Sequence, residues 1–189
     1  MTMADQLRRI PSLSGRALEL NVETLPHDPV VLFRSWLEAA LEFGVQEPHA
    51  VSLATVDAVG VPDARTLILK DVDERGWAFA GTASSTKGRQ LAVNPVAAID
   101  VYWQPIMRAV RVRGRVFEAT PAECDADLAA RSQTARASVA PGDWRLWRLV
   151  PSQVEFFQAS VDRQHTRVVY NTFDGAWMLR VQRGGREIR

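Results

Sequence analysis

Arg163-Gln164-His165-Thr166-Arg167 sets three cationic or protonatable side chains at every second position. A strand repeats every two residues, so this spacing predicts all three on one face, as a pocket for an anion. A second basic pair, Arg65 and Lys70, brackets the otherwise apolar run RTLILK. A third element, Ser84-Ser85-Thr86-Lys87-Gly88-Arg89, reads as a loop leading into a helix. Hydroxyls, backbone N–H groups and cations gather there at a helix end that already favours phosphate. Together the three elements point to a phosphorylated ligand, and the Gly-x-x-x-x-Gly-Lys-Ser/Thr pattern of a P-loop is absent.

Each element also has a plainer reading. Arg163, His165 and Arg167 can form the solvent face of a strand, and Lys87 to Arg89 the solvated first turn of a helix. His27 and His49 read as surface or turn residues, and the Asp125/Asp127 and Glu38/Glu42 pairs as exposed helix faces. Trp103 and Trp177 are assigned to packing; Trp144 and Trp147, in a Trp-rich link, either pack or line a ligand cleft.

The chain of 189 residues suits one domain with a real core, and its 47% hydrophobic and 24% charged residues are ordinary for a globular protein. A net charge of +1 gives no global field that would attract nucleic acid or an anionic membrane, so the basic clusters are local sites. Cys124 is the only cysteine, which excludes an internal disulfide and a metal site built on cysteine pairs. No segment has the apolar core of a signal peptide or the length to cross a bilayer, so a cytoplasmic protein is the expectation.

Residues 1 to 27 carry Pro11, Gly15 and Pro26 without a sustained period and read as an irregular arm; the domain runs from 28 to 189. Asp28-Pro29 opens a helix whose apolar residues Leu32, Phe33, Trp36, Leu37, Ala40 and Leu41 repeat at three and four, ending near Gly44. Short β-type runs follow at Val51 to Val56, Thr66 to Leu69, Trp77 to Ala80, Val96 to Trp103 and Ala109 to Phe117. Helical pieces interrupt them at Ser85 to Val93 and, from the capping box Thr120-Pro121-Glu123, to about Ser132. Strands return at Val154 to Gln158, Arg167 to Tyr170 and Trp177 to Val181. Many short strands with few helices predict a mainly β fold, an antiparallel barrel with peripheral helices, because closure removes exposed edges.

The ordered motifs DPVVLFRSWLEAALEFGVQEPHAVSLATVDAVGVPDARTLILKDVDERGWAFAG, SSTKGRQLAVNP, VYWQPIMRAVRVRGRV and RLVPSQVEFFQASVDRQHTRVVY resemble the pyridoxamine 5'-phosphate oxidase family over about residues 28 to 181. Related flavin oxidases of phenazine biosynthesis begin with a segment similar to RIPSLSG at Arg9 to Gly15. The resemblance implies a homodimeric split β-barrel of the FMN-binding type, with FMN at the subunit interface. It implies cofactor contacts from Arg65, Thr66, Leu67, Ile68, Leu69 and Lys70, from Ala80 and Gly81, from Ser85, Thr86 and Lys87, and from Phe157 and Arg167. Arg163 and His165 would be catalytic, holding the substrate over the isoalloxazine, with Lys70 and Arg131 on the substrate phosphate. No metal is implied.

The activity so implied is oxidation of an amine or alcohol carbon of pyridoxine or pyridoxamine 5'-phosphate, or of a related aromatic substrate, with hydride passing to the flavin and then to molecular oxygen. The alternatives are a phenazine-precursor oxidase, an FMN-binding protein with little catalysis and a deazaflavin reductase. Several positions depart from the pattern: Asp127 stands where the family has Tyr in Tyr-x-x-x-Arg, Ala109 where it has Gln, Ala80 for an aromatic, Thr86 for Arg and Phe157 for Trp. A segment carrying two further FMN contacts is shortened to Ser132 to Asp143, and the tail reads RVQRGGREIR. Trp144, Arg145 or Arg148 are candidates to replace those contacts.

Overall fold

A computed structural model describes all residues, 1–189. Six antiparallel strands form the barrel: β1 (Ala50–Val56), β2 (Pro62–Asp73), β3 (Gly76–Thr82), β4 (Val96–Trp103), β5 (Arg108–Glu118) and β6 (Trp144–Gln158). They run in the order β3-β2-β1-β4-β5-β6, and a β3–β6 pairing closes the ring. β7 (Thr166–Phe173), β8 (Ala176–Arg183) and the two-residue β9 (Arg186–Glu187) extend the sheet beyond β6.

The alternation that marks the strands in sequence is the alternation that builds the core. In β4, Ala97, Ile99, Val101 and Trp103 are buried, whereas Val96, Ala98, Asp100 and Tyr102 are not. Helix α2 (Pro29–Glu42) starts where Asp28 accepts a hydrogen bond from the Val30 N–H at 2.8 Å, with proline at the first helical position. Its buried face sets Phe33 against Trp77, with ring centroids 4.3 Å apart, and Trp36 edge-on to Phe156 at 5.1 Å. Each such aromatic contributes about 2–3 kcal/mol by burial. Trp103 donates its Nε1–H to the Pro48 carbonyl at 2.9 Å, and Trp177 packs edge-on against Tyr170, so both are packing residues.

β6 is longer than its sequence pattern suggested. The supposed Trp-rich link is strand from Trp144 onward, and Trp144, Leu146, Trp147, Arg148 and Leu149 are all buried. Strand periodicity is hidden there because both faces are covered, one by the barrel interior and one by helix α4 (Pro121–Ala129), where Cys124 and Leu146 pack together. Residues 144–149 of β6 pair with β3 and residues 153–158 with β7, while β5 follows both halves through a register shift at Arg113/Gly114.

The N-terminal segment is docked and partly helical. α1 (Met3–Arg9) carries a capping box between Thr2 and Asp5, and the residues after it are pinned to the barrel. The Arg16 N–H donates to Pro105 O at 2.8 Å, Arg108 Nη2 to Glu19 O at 3.3 Å, Arg189 Nη1 to Val22 O at 2.8 Å and the Tyr170 hydroxyl to Pro26 O at 2.7 Å. Burial pushes the Tyr170 phenol up to about 12, which keeps it a donor. Helix α3 (Thr86–Val93) stands where Asn94-Pro95 was expected to end it, and the shortened segment folds a further turn, α5 (Gln133–Ala137).

Gly114 sits at the register shift, where a Cβ would collide with the Val150 carbonyl oxygen and lie 2.8 Å from the Pro151 Cα. Backbone cannot yield as a side chain can. Gly114→Ala is expected to lower unfolding free energy by about 1–3 kcal/mol in urea titration; an unchanged midpoint would show that the strand pair tolerates a side chain there.

Candidate functional site

Three clusters of chemistry-bearing side chains emerge. The first gathers around the start of α3. Ser85 caps the helix, its Oγ accepting from the Gly88 N–H at 3.3 Å. Lys87 runs back across β3 over Gly81, where any Cβ would collide with its ammonium, and Nζ lies 3.3 Å from Ser85 Oγ. That ammonium meets no carboxylate. Burial, and secondarily the Arg65 guanidinium, hold it below the ordinary lysine range.

Arg65 is fixed from four sides: Nη1 donates to Leu53 O at 3.2 Å and to Thr55 Oγ1, and Nη2 to Asp63 at 2.7 Å and Gln90 Oε1 at 3.1 Å. Thr55 in turn donates to Gln90 at 2.5 Å. Of the remaining RTLILK positions, Leu67 and Leu69 pack on the core, so only their backbone is available to a ligand. Thr66 is exposed, and Ile68 and Ala80 are partly buried. An uncompensated, partly desolvated lysine beside an arginine, above a capped helix start, fits a phosphate group.

The second cluster joins β2, α4 and β6. Asp127 accepts from Trp144 Nε1–H at 2.9 Å and lies 3.5 Å from Lys70 Nζ. Arg131 stacks over the Trp144 ring at 4.4 Å. Asp127 is therefore not part of an exposed helix face; Asp125 alone is. Trp144 supports this cluster with its indole N–H, while Trp147 packs on Phe79. A capping box of Thr120 and Glu123 starts α4, and Glu123 also meets Arg75 at 3.0 Å and Arg148 at 3.5 Å. Arg148 is buried among Asp71, Asp73 and Glu123, and Arg145 pairs with Glu118 at 2.6 Å, so both cations proposed to compensate for the shortened segment are engaged within the chain.

The third cluster lies where β6 meets β7. Arg167 stacks over Phe157 at 4.8 Å and donates to Glu155 at 2.6 Å; His165 packs against Phe157 at 5.2 Å. Arg163, His165 and Arg167 line one hollow of about 220 Å³ with Gln182, Gly184 and Gly185. The reason differs from simple strand alternation, since β7 begins only at Thr166. Arg163 belongs to a turn and holds a left-handed φ of 66°, uncommon for a residue with a side chain. Asp162 braces that turn, accepting from Ser160 Oγ at 2.5 Å and the Gln164 N–H at 2.9 Å. The Ser160 N–H donates to His165 Nδ1 at 3.0 Å, so a neutral His165 ring carries its proton on Nε2.

Sequence reasoning missed Gln90, Thr55 and Asp63 around Arg65, Glu155 beside Arg167, and the Gln182 to Gly185 rim. The double glycine was the available signal for the last, as a hairpin turn in the tail. His27 and His49 are exposed and take no part.

Comparisons with known proteins identify the family and the fold. The family model for pyridoxamine 5'-phosphate oxidase matches residues 37–158, and that for the pyridoxine 5'-phosphate oxidase C-terminal dimerisation region matches residues 144–181. The pyridoxine/pyridoxamine 5'-phosphate oxidase of Ectopseudomonas mendocina (strain ymp) is 35% identical, with 94% of this chain and 96% of that protein covered. Its counterpart in Pseudomonas paraeruginosa (strain DSM 24068 / PA7) is 36% identical over 84% and 89%. Among solved structures, PhzG from Burkholderia lata 383 in complex with tetrahydrophenazine-1-carboxylic acid superposes with a TM-score of 0.82 at 26% identity, covering 89% of this chain and 100% of that one. The split barrel, the basic clusters and these matches together make the chain a member of the pyridoxamine 5'-phosphate oxidase family of oxidoreductases.

Proposed function

We propose that the protein is a homodimeric FMN-dependent oxidase, acting on pyridoxine or pyridoxamine 5'-phosphate or a related aromatic substrate, with FMN bridging two copies of the chain. One observation carries the reading. Trp147, whose ring lies beside Gly81 under Lys87, and Phe157, under Arg167, stand ten residues apart on β6. At a strand's rise that is about 33 Å of contour, more than one small cofactor spans. The phosphate-type cluster of one copy therefore needs the Phe157 cluster of another. The dimerisation region match at 144–181 contains Phe157, His165 and Arg167, which supports that arrangement. The outer face of the barrel adds a groove of about 670 Å³ lined by Ala54, Val96, Ala98, Phe117 and Val150, an apolar surface of the kind a second copy covers.

In this mechanism Lys87, Ser85 and Thr86 would hold the cofactor phosphate, with the chain-bound Arg65 guanidinium adding positive charge beside them. Phe157 and Arg167 of the other copy would meet the ring system, the guanidinium kept in place by Glu155. FMN, when bound, supplies the hydride acceptor and the route of electrons to oxygen. His165 offers an Nε2–H and Arg163 a guanidinium to the substrate, orienting its reacting carbon; the left-handed turn at Arg163 fixes the direction of approach. No nucleophile is required. A second reading, oxidation of a phenazine-type aromatic acid, is favoured by the PhzG similarity, since that structure contains tetrahydrophenazine-1-carboxylic acid. A cytoplasmic location is proposed with it; no helix is long and apolar enough to cross a membrane.

Two outcomes test the site. Lys87→Ala and Arg167→Ala are each expected to weaken FMN binding about 10- to 100-fold in fluorescence titration. Arg163→Ala and His165→Ala should retain FMN and slow flavin reduction by substrate. Wild-type behaviour of all four would contradict the assignment.

The pH dependence follows from Lys87. Its lowered range means that, as pH rises, the Lys87 charge is lost before an ordinary lysine titrates. The affinity difference between FMN and riboflavin should shrink as pH rises through that lowered range. Lys87→Arg should carry the difference to higher pH, because guanidinium stays charged. A difference in the wild type that persists to the ordinary lysine range would refute the role of Lys87.

A further inference from the structure

We propose that Asp127 sets the charge of the substrate this site accepts, selecting a substrate with a single carboxylate over one with a phosphate dianion. The inference rests on the flavin oxidase reading for the presence of a substrate beside Lys70. Its basis is the pairing within the second cluster. Lys70 Nζ lies 3.5 Å from Asp127 Oδ1, with only 28% and 13% of the two side chains exposed, so solvent screens the pair weakly. The other carboxylate oxygen accepts the Trp144 indole N–H at 2.9 Å, which fixes the carboxylate facing the lysine.

Beyond accepting the Trp144 indole N–H, Asp127 is not needed to cap or anchor its helix. α4 is capped by Thr120 and Glu123 and tied to the barrel by Glu123 through Arg75 and Arg148, all without Asp127. Arg131, stacked on Trp144, has no carboxylate partner, and its Nε is buried without a hydrogen-bond acceptor. The formal charges of Lys70, Arg131 and Asp127 then sum to one positive charge. That matches one carboxylate. A phosphate monoester, with a charge of about −1.5 to −2 at neutral pH, would leave negative charge uncompensated beside the Asp127 carboxylate.

The expected effects are graded. Removing a nearby negative charge strengthens binding in proportion to the ligand's own charge, so a dianion gains about the square of the factor a monoanion gains. The test uses FMN-loaded protein and a matched pair of probes, benzoate and phenyl phosphate, measured by calorimetry. Wild type should bind benzoate more tightly, because a site with one net positive charge does not offset the larger cost of taking a dianion out of water. Asp127→Asn, which keeps an acceptor for Trp144, should tighten benzoate about tenfold and phenyl phosphate about a hundredfold, reversing the preference. Asp127→Ser removes the same charge and should agree if Asp127→Asn is poorly folded. A wild-type preference for phenyl phosphate, equal gains for both probes, or no binding of either would overturn the proposal. Flavin uptake is read first from the visible spectrum: protein that takes up no FMN fails the oxidase reading itself, whereas FMN-loaded protein with the wrong probe preference fails only the role of Asp127.

Discussion

Everything in this molecule hangs on one 15-residue strand. β6 closes the barrel by pairing its first half with β3 and carries the β7–β8 extension on its second half, while β5 accompanies both. Such double use is possible because the register shift at Arg113/Gly114 lets β6 leave one neighbour and take another without losing its ladder with β5. Trp144 at the start of β6 supports the α4 cluster, Trp147 underlies Lys87, and Phe157 near the end supports His165 and Arg167. A single strand thus fixes three sets of side chains and, by its length, keeps the outer two apart.

The charges are placed by different physical means at the two ends. Near α3, Lys87 is left without a carboxylate and partly out of water, an arrangement that costs free energy in the isolated chain and is offset when an anion arrives. Arg65 stands beside it but is held by four acceptors of its own chain, a fixed second positive charge next to the lysine. Near α4 the lysine is already matched by Asp127, and Arg131 retains the free charge. Near β7 the arginine is oriented by Glu155, itself shared with Arg111 at 2.5 Å. Lysine and arginine side chains therefore do three jobs: anion capture, charge compensation and support of an aromatic ring.

Much of this was legible in the sequence, for reasons that can be named. β4 alternates perfectly because one face is buried and the other is not, and α2, α3 and α4 carry side-chain caps that announce their first turns. The motif order along the chain named the family, which composition alone could not do. What escaped was structure created by tertiary context. Trp144 to Leu149 read as a link because both faces are covered, and Asp127 read as surface because its partners, Lys70 and Trp144, are 57 and 17 residues away. Arg163, His165 and Arg167 do share a hollow, but through a turn held by Asp162 and an unusual φ at Arg163, which period-two reasoning does not anticipate.

The central claim is that one working site takes its α3 cluster from one copy and its Phe157 cluster from another. Refolding a mixture of Lys87→Ala and Arg167→Ala chains tests it directly. If the site is shared, mixed dimers contain one site with both lesions and one with neither, and random assortment restores about a quarter of the wild-type flavin sites. If both clusters of a site come from the same copy, every site in every dimer keeps a lesion, and the mixture stays as deficient as its parents.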